Sequence, residues 1–289
     1  MNPETSKSNV VRLLVSCRDR EGIIASLSEA LRDVGANIIT SDQYSSDPTG
    51  GRFSLRMEFF IPVPDKRLPI LEQRLAEIGA ELELDWKLID AKRRKRVALY
   101  VSRYDHCLLD LLWRWHRAEL EMEIVAVVSN HPDLGQEVSR FGVPYYHIPV
   151  TKESKPQAEQ AQIELLAGEV ELIVMARYMQ ILSDSFLERI GCPVINIHHS
   201  FLPAFVGAGP YQRAHDRGVK LIGATAHYAT AELDEGPIIE QDVVRVTHRE
   251  DAAALERIGA DIERLVLARA VSWHLQDRIL LQGHHTIIF

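Results

Sequence analysis

Cysteine is scarce: 3 residues in 289, at positions 17, 107 and 192, with no C-x-x-C pair. That number and spacing exclude a disulfide framework and a zinc ribbon, and point to a reducing compartment, the cytoplasm. Aromatic residues make up only 7% of the chain, and cations do not predominate: 33 Lys and Arg stand against 41 Asp and Glu, a formal charge of −8. This balance argues against a nucleic-acid-coating surface. No stretch reaches the roughly 18 apolar residues of a membrane span. The opening MNPETSKSNVV has no apolar signal core, so neither export nor membrane insertion is expected. What remains, 46% apolar and 26% charged, describes an ordinary globular protein, long enough for two domains at roughly 100–200 residues each.

Residues 9–90 read as one unit. Val11, Leu13 and Val15 alternate as a strand. Ile23, Ile24, Leu27, Ala30, Leu31 and Val34 then recur at helical spacing and stop at Gly35, a C′ residue. A strand at 36–44 leads through a polar turn to Phe53, Leu55, Met57, Phe59 and Ile61, which alternate with polar residues. Pro69 suits the first turn of a helix that carries Leu71, Leu75 and Ile78 and ends at Gly79, before a last strand with Leu82, Leu84, Trp86 and Leu88. The order is βαββαβ, the ferredoxin-like arrangement. The first strand-to-helix turn, Cys17-Arg-Asp-Arg-Glu-Gly-Ile-Ile24, resembles the D-x-x-G-I turn of ACT domains. The resemblance implies a homo-oligomer and either an assembly module or an amino-acid sensor with Asp19, Gly22 and Ile23 at the effector site. Glycine and methionine are the natural candidate effectors.

The run Lys92-Arg93-Arg94-Lys95-Arg96 could be a localisation or nucleic-acid signal; between two domain-like patterns in an acidic chain it reads as a solvated linker, 91–96. From residue 97 to 289 the periodicity changes. Short apolar runs at 97–102, 124–129 and 172–176 alternate with helical stretches at 107–117 and 157–166, the signal of an open, mostly parallel α/β sheet. Ligands bind such sheets outside the carboxyl ends of the strands.

A polar cluster stands after one such run, in Pro193-Val-Ile-Asn-Ile-His-His-Ser-Phe-Leu-Pro203. If 194–198 is a strand, Val194, Asn196 and His198 share one face. Alone, Asn196 and His198 could belong to a structural hydrogen-bond network, and Asp234, in a turn-rich acidic segment, could be an ordinary turn carboxylate. Together an amide donor, an imidazole and a carboxylate supply an oxyanion stabiliser, a proton carrier and a charge partner for attack on a carbonyl.

NIHHSFLP at 196–203, GATAHY at 223–228 and LDEGPII at 233–239 resemble the formyltransferase fold that uses 10-formyltetrahydrofolate. Its catalytic Asn, His and Asp fall on Asn196, His198 and Asp234, at the separation seen in the folate-dependent glycinamide ribonucleotide transformylases. His198-His199 in place of the common His-Pro, the preceding ACT-like unit, and the segments SNHPDL, ARYMQILS, GPYQRA and HTIIF are similar to the formyltetrahydrofolate deformylases. Consistent with that, Ser102-Arg-Tyr-Asp-His-Cys107 has no glycine to form a backbone phosphate cradle.

The resemblance implies hydrolysis of 10-formyltetrahydrofolate to formate and tetrahydrofolate, within one-carbon metabolism and purine biosynthesis, with no cofactor. It also implies that Gln180, Ile181 and Leu182 read the pterin through their backbone, opposite a loop from Tyr228 and Ala229 to Leu233. His199 and His227 either line the water pocket or are core histidines. A metal site on His198, His199 and Asp234 is not expected, because adjacent strand histidines face opposite ways. Gly209 stands where related deformylases often carry a longer polar or basic side chain, which bears on substrate affinity. The alternatives are formyl transfer to an amine acceptor and a non-catalytic amino-acid or folate sensor.

Overall fold

The computed structural model describes residues 9–204 and 209–289, so the export reading of the first eight residues lies outside it. The chain divides into two units: Met1–Arg93 with Gln276–Leu280 and Ile287–Phe289, and Arg94–Leu275 with Leu281–Thr286.

In the first unit, β1 (Val10–Arg18) turns Val11, Leu13, Val15 and Cys17 inward. Helix α1 (Ile23–Asp33) buries Ile23, Leu27, Ala30 and Leu31 against them. Gly35, at φ 66°, ends that helix: its N–H donates to Arg32 O, and Ala36 N–H donates to Leu31 O, the paired bonds of a left-handed C-cap. Strands β2 (Asn37–Ser45) and β3 (Arg52–Phe60), helix α2 (Pro64–Leu82) and β4 (Asp85–Asp90) complete the expected βαββαβ order. The sheet runs β2-β3-β1-β4, all antiparallel.

Helix α2 differs from expectation. It starts at Pro64, five residues before the expected Pro69, and runs through Gly79 to Leu82. Gly79 does not end the helix; it lets Trp86 approach closely, since a Cβ there would sit 2.8 Å from the indole nitrogen. The domain limits differ too. Lys95 and Arg96, expected in the linker, open a strand and pair with Met122 and Glu123. At the other end, Arg12 donates to the Asp277 carboxylate at 3.0 Å and Arg56 to the Gln276 carbonyl at 2.9 Å, which anchors that short segment in the first unit.

The second unit alternates strands and helices: β5 (Lys95–Val101), α3 (His106–His116), β6 (Met122–Ser129), α4 (Gly135–Ser139), β7 (Tyr145–His147), α5 (Lys155–Leu166), β8 (Leu172–Met175), α6 (Asp184–Ile190), β9 (Val194–His198), α7 (Pro210–Asp216), β10 (Leu221–Tyr228), β11 (Ile238–Arg245) and α8 (Ala252–Leu275). A hairpin of β12 (Ile279–Gln282) and β13 (His285–Ile288) follows. The seven-stranded sheet has the order β11-β10-β9-β8-β5-β6-β7. Its pairings are parallel from β9 to β7, and antiparallel where β10 meets β9 and β11. Chain order reverses between β5 and β8, the kind of crevice where α/β sheets bind ligands. Among the described residues no helix is long and apolar enough to cross a membrane.

Candidate active site

Strand β9 brings Asn196 and His198 to the carboxyl end of the sheet, and its antiparallel neighbour β10 sets their partners. Asn196 pairs with His227 and His198 with Thr225. Directly opposed residues of antiparallel strands are close enough to touch, and Asn196 Nδ2 meets His227 Nε2 at 3.2 Å. His227 Nδ1–H donates to the Tyr228 carbonyl at 3.0 Å, leaving the Nε2 lone pair to accept from Asn196. Burial lowers the pKa of His227, which favours the neutral ring this arrangement needs. Asn196 thus spends one N–H on His227 and keeps the other.

His198 Nδ1 lies 3.1 Å from Asp234 Oδ1, and His227 Nε2 is 3.7 Å from the same oxygen. Burial works against the charge on Asp234, but the hydrogen bond and charge of His198 hold its carboxyl below the usual carboxylate range. The other ring nitrogen, His198 Nε2, is buried with no hydrogen-bond partner among the described residues. A buried orphan of this kind marks a position kept for a reacting group.

The turn that delivers Asp234 is tightly constrained. Asp234 is left-handed, at φ 61°, a conformation that costs a non-glycine residue about 1–3 kcal/mol and collects at functional sites. Gly236, two residues on, is required because any Cβ there would overlap the Tyr228 carbonyl.

The three groups open into a cleft of about 280 Å³ that reaches Gln180, Ile181, Leu182, His199, His227 and Ala229. Ile181 is 56% exposed while Leu182 is 7% exposed, so of the two only Leu182 is core. Thr230 and Leu233 line the side contributed by the 228–233 loop. Tyr228 does not line it: alternation along β10 turns its side chain away from that of His227, and its hydroxyl meets His274 Nδ1 at 2.8 Å. His199 lines the cleft, but it does not face away from His198 as strand alternation predicts. It lies just past the end of β9, where the alternation of faces no longer holds, and its ring stacks on His198 with centroids 5.2 Å apart and planes 23° apart. Burial and then the charge of Arg177 push its pKa down to about 4.

In the first unit, Asp19, Gly22 and Ile23 lie together in a second cleft, of about 370 Å³, with Gln43, Ser45 and Phe53. The Asp19 carboxylate accepts from the Ser45 hydroxyl.

Sequence reading missed Arg177, which lines the catalytic cleft, and Glu263, Tyr211 and His106 behind it. A signal existed for Glu263. It stands within the apolar stripe of α8, beside Ile262, Val266 and Leu267, and is 1% exposed. An acid in that position needs partners.

The formyl transferase family pattern matches residues 95–271, and the ACT domain pattern matches residues 11–80. The chain is 56% identical over 283 residues to the formyltetrahydrofolate deformylase of Mycobacterium bovis, covering 98% of this chain and 91% of that protein. It is 50% identical to the deformylase of Bacillus subtilis, covering 96% and 93%. The crystal structure of a formyltetrahydrofolate deformylase from Pseudomonas syringae superposes with a TM-score of 0.91 at 44% identity, covering 97% of this chain and 94% of that one. The chain belongs to the formyltetrahydrofolate deformylase family, an ACT domain joined to a formyl transferase domain.

Proposed function

We propose that Asn196, His198 and Asp234 carry out the hydrolysis of 10-formyltetrahydrofolate to formate and tetrahydrofolate in this chain. The observation that carries the assignment is the buried His198 Nε2, without a partner among the described residues, held beside Asn196 while Asp234 engages Nδ1. With Nδ1–H directed at Asp234, the neutral ring has its lone pair on Nε2. Nε2 takes a proton from water as the water oxygen bonds to the formyl carbon. The carbonyl oxygen becomes anionic and accepts the second N–H of Asn196, an interaction worth about 10²–10³ in rate. The imidazolium, stabilised by Asp234, then gives the proton to N10 as the C–N10 bond breaks. Water supplies one oxygen of formate, and tetrahydrofolate leaves with the proton. The pterin lies along Gln180, Ile181 and Leu182, whose ordinary side chains suit recognition through the backbone. No cofactor enters this scheme. Purified protein given 10-formyltetrahydrofolate and no acceptor should accumulate formate and tetrahydrofolate in equal amounts over many turnovers, and Asp234→Asn should abolish both. Folate binding without turnover would refute the assignment and favour an amine acceptor.

The cleft of the first unit is the reading's second site. Asp19, Gly22 and Ile23 bind an amino acid there, with glycine and methionine the natural candidates through one-carbon chemistry. Calorimetry should detect such binding, and Asp19→Ala should remove it. Binding by no amino acid would leave this unit as an assembly module. Strand β2, exposed along nearly its whole length at the sheet edge, supports self-association into a homo-oligomer; sedimentation of the purified protein as a monomer would remove that element. The scarcity of cysteine supports a cytoplasmic setting.

A further inference from the structure

One wall of the catalytic cleft is built unlike the rest. Arg177 and His199 line it, and a buried ionic group backs them. Glu263 accepts from Tyr211 Oη at 2.6 Å, from His106 Nε2 at 2.8 Å and from Arg177 Nη1 at 3.4 Å. The Arg177 guanidinium lies 4.7 Å over the Tyr104 ring. Gly259, one helical turn before Glu263 on α8, leaves the space that Tyr211 fills; a side chain there would overlap the phenol. The Tyr211 ring is 6.2 Å from the His199 ring, which itself stacks on His198. A continuous ladder therefore runs from Glu263 through Tyr211 and His199 to the reacting centre.

The hydrolytic chemistry does not use this ladder, and it leaves open how water is chosen over an amine. An amide donor, an imidazole and a carboxylate do not distinguish water from an amine, and amines are the stronger nucleophiles towards a formyl group. Selection for water must come from access. A cluster of buried groups that hydrogen-bond one another is a rigid wall, because displacing one member strands another without a partner.

We propose that His199, backed by Tyr211 and the Arg177–Glu263 pair, is the specificity-determining wall that denies amines the approach to the formyl carbon, so that water is the nucleophile. This rests on the hydrolytic reading of the site. A metal role for the cluster is less consistent with its contacts. His106, Cys107 and Glu263 lie close enough to share an ion, but both Glu263 oxygens are already engaged, and burial, then the charge of Glu263, pushes the Cys107 thiol well up.

The test is acceptor partition. The full-length protein is given 10-formyltetrahydrofolate with excess glycinamide, a small primary amine, and both formate and N-formylglycinamide are measured. In the transfer reaction the amine nitrogen bonds to the formyl carbon, the C–N10 bond breaks, and the amine proton passes to N10. The wild type and Tyr211→Phe, which keeps the ring, should give formate alone. His199→Ala and Tyr211→Ala should divert at least a tenth of the formyl groups to the amine. If Tyr211→Ala does not fold, His199→Ala decides the outcome. Transfer to glycinamide by the wild type would overturn the proposal, as would formate alone from a folded, active His199→Ala. Complete loss of turnover in His199→Ala would also overturn it, by assigning that ring to the chemistry. Failure of the wild type to release formate without any amine would instead sink the hydrolytic reading itself.

Discussion

The two units bury their strands in different company. The first packs Leu13, Leu27, Leu55, Phe59, Leu71 and Leu75 into an aliphatic and aromatic core, each essentially inaccessible. The second, beside a similar core around Tyr100, Tyr178 and Phe186, also buries His198, His227, Thr225, Arg177 and Glu263. Buried polar groups cost free energy unless satisfied, and here each has a named partner, while His198 Nε2 and Arg177 Nε have none among the described residues. The contrast separates residues that hold the fold from residues held by it. The first unit also buries Arg56 and Asp277, but both are paired within it, with Glu58 and Arg12; the second leaves buried polar atoms of His198 and Arg177 without a partner among the described residues, at the catalytic cleft.

The largest effect that could break this contrast is on turnover. His198→Ala should lower kcat by about 10³–10⁴ while leaving the thermal unfolding midpoint near that of the wild type; a large loss of stability instead would make His198 a core residue. Leu55→Ala should do the reverse, destabilising the protein by about 2–5 kcal/mol with unchanged kcat for the folded fraction, as followed by denaturant titration and assay of the same preparation. Gly236→Ala tests the turn between these extremes. Forcing a Cβ against the Tyr228 carbonyl should displace Asp234 and cost about 10² in turnover; activity within twofold of wild type would show that the turn adapts.

The smallest expected effect is in pH dependence. His199 and His227 have folded-state pKa values below the usual 6.5 of histidine, with His199 at about 4. A group whose folded pKa is depressed contributes stability that is present above its unfolded pKa and is lost as pH falls through the folded value. Stability should therefore begin to fall below about pH 6.5, and the lowered carboxyls of Asp234 and Glu263 should add their loss further down, in the carboxylate range. His199→Asn should flatten the upper part of that curve. An unchanged profile would mean that His199 is not held in its neutral form by its surroundings.

Much of this could be read before any coordinates, and the reasons differ by unit. Alternation in β1 and β3 and the 3.6-residue period of α1 are local signals, so the βαββαβ order emerges from periodicity. The start of α2 does not, because Pro69 is a plausible first-turn residue and nothing local shows that Pro64 opens the helix instead. Gly79 reads as a stop, while its true reason is a tertiary contact with Trp86. In the second unit, the shared face of Asn196 and His198 follows from strand geometry, but their meeting with Asp234 was legible only from the resemblance of the surrounding segments. The stacking of His199 on His198 depends on where β9 ends, and the Arg177–Glu263–Tyr211 group joins segments far apart in sequence. Only the acid in the apolar stripe of α8 hinted at it.

The most direct test of the central claim, that water activated by His198 is the nucleophile, is turnover in water enriched in oxygen-18 without any acceptor. The account predicts that one oxygen of each formate released comes from the solvent, measured early enough to precede exchange, and that the labelled product disappears in His198→Ala. Formate released without solvent oxygen, or labelling undiminished in His198→Ala, would contradict it.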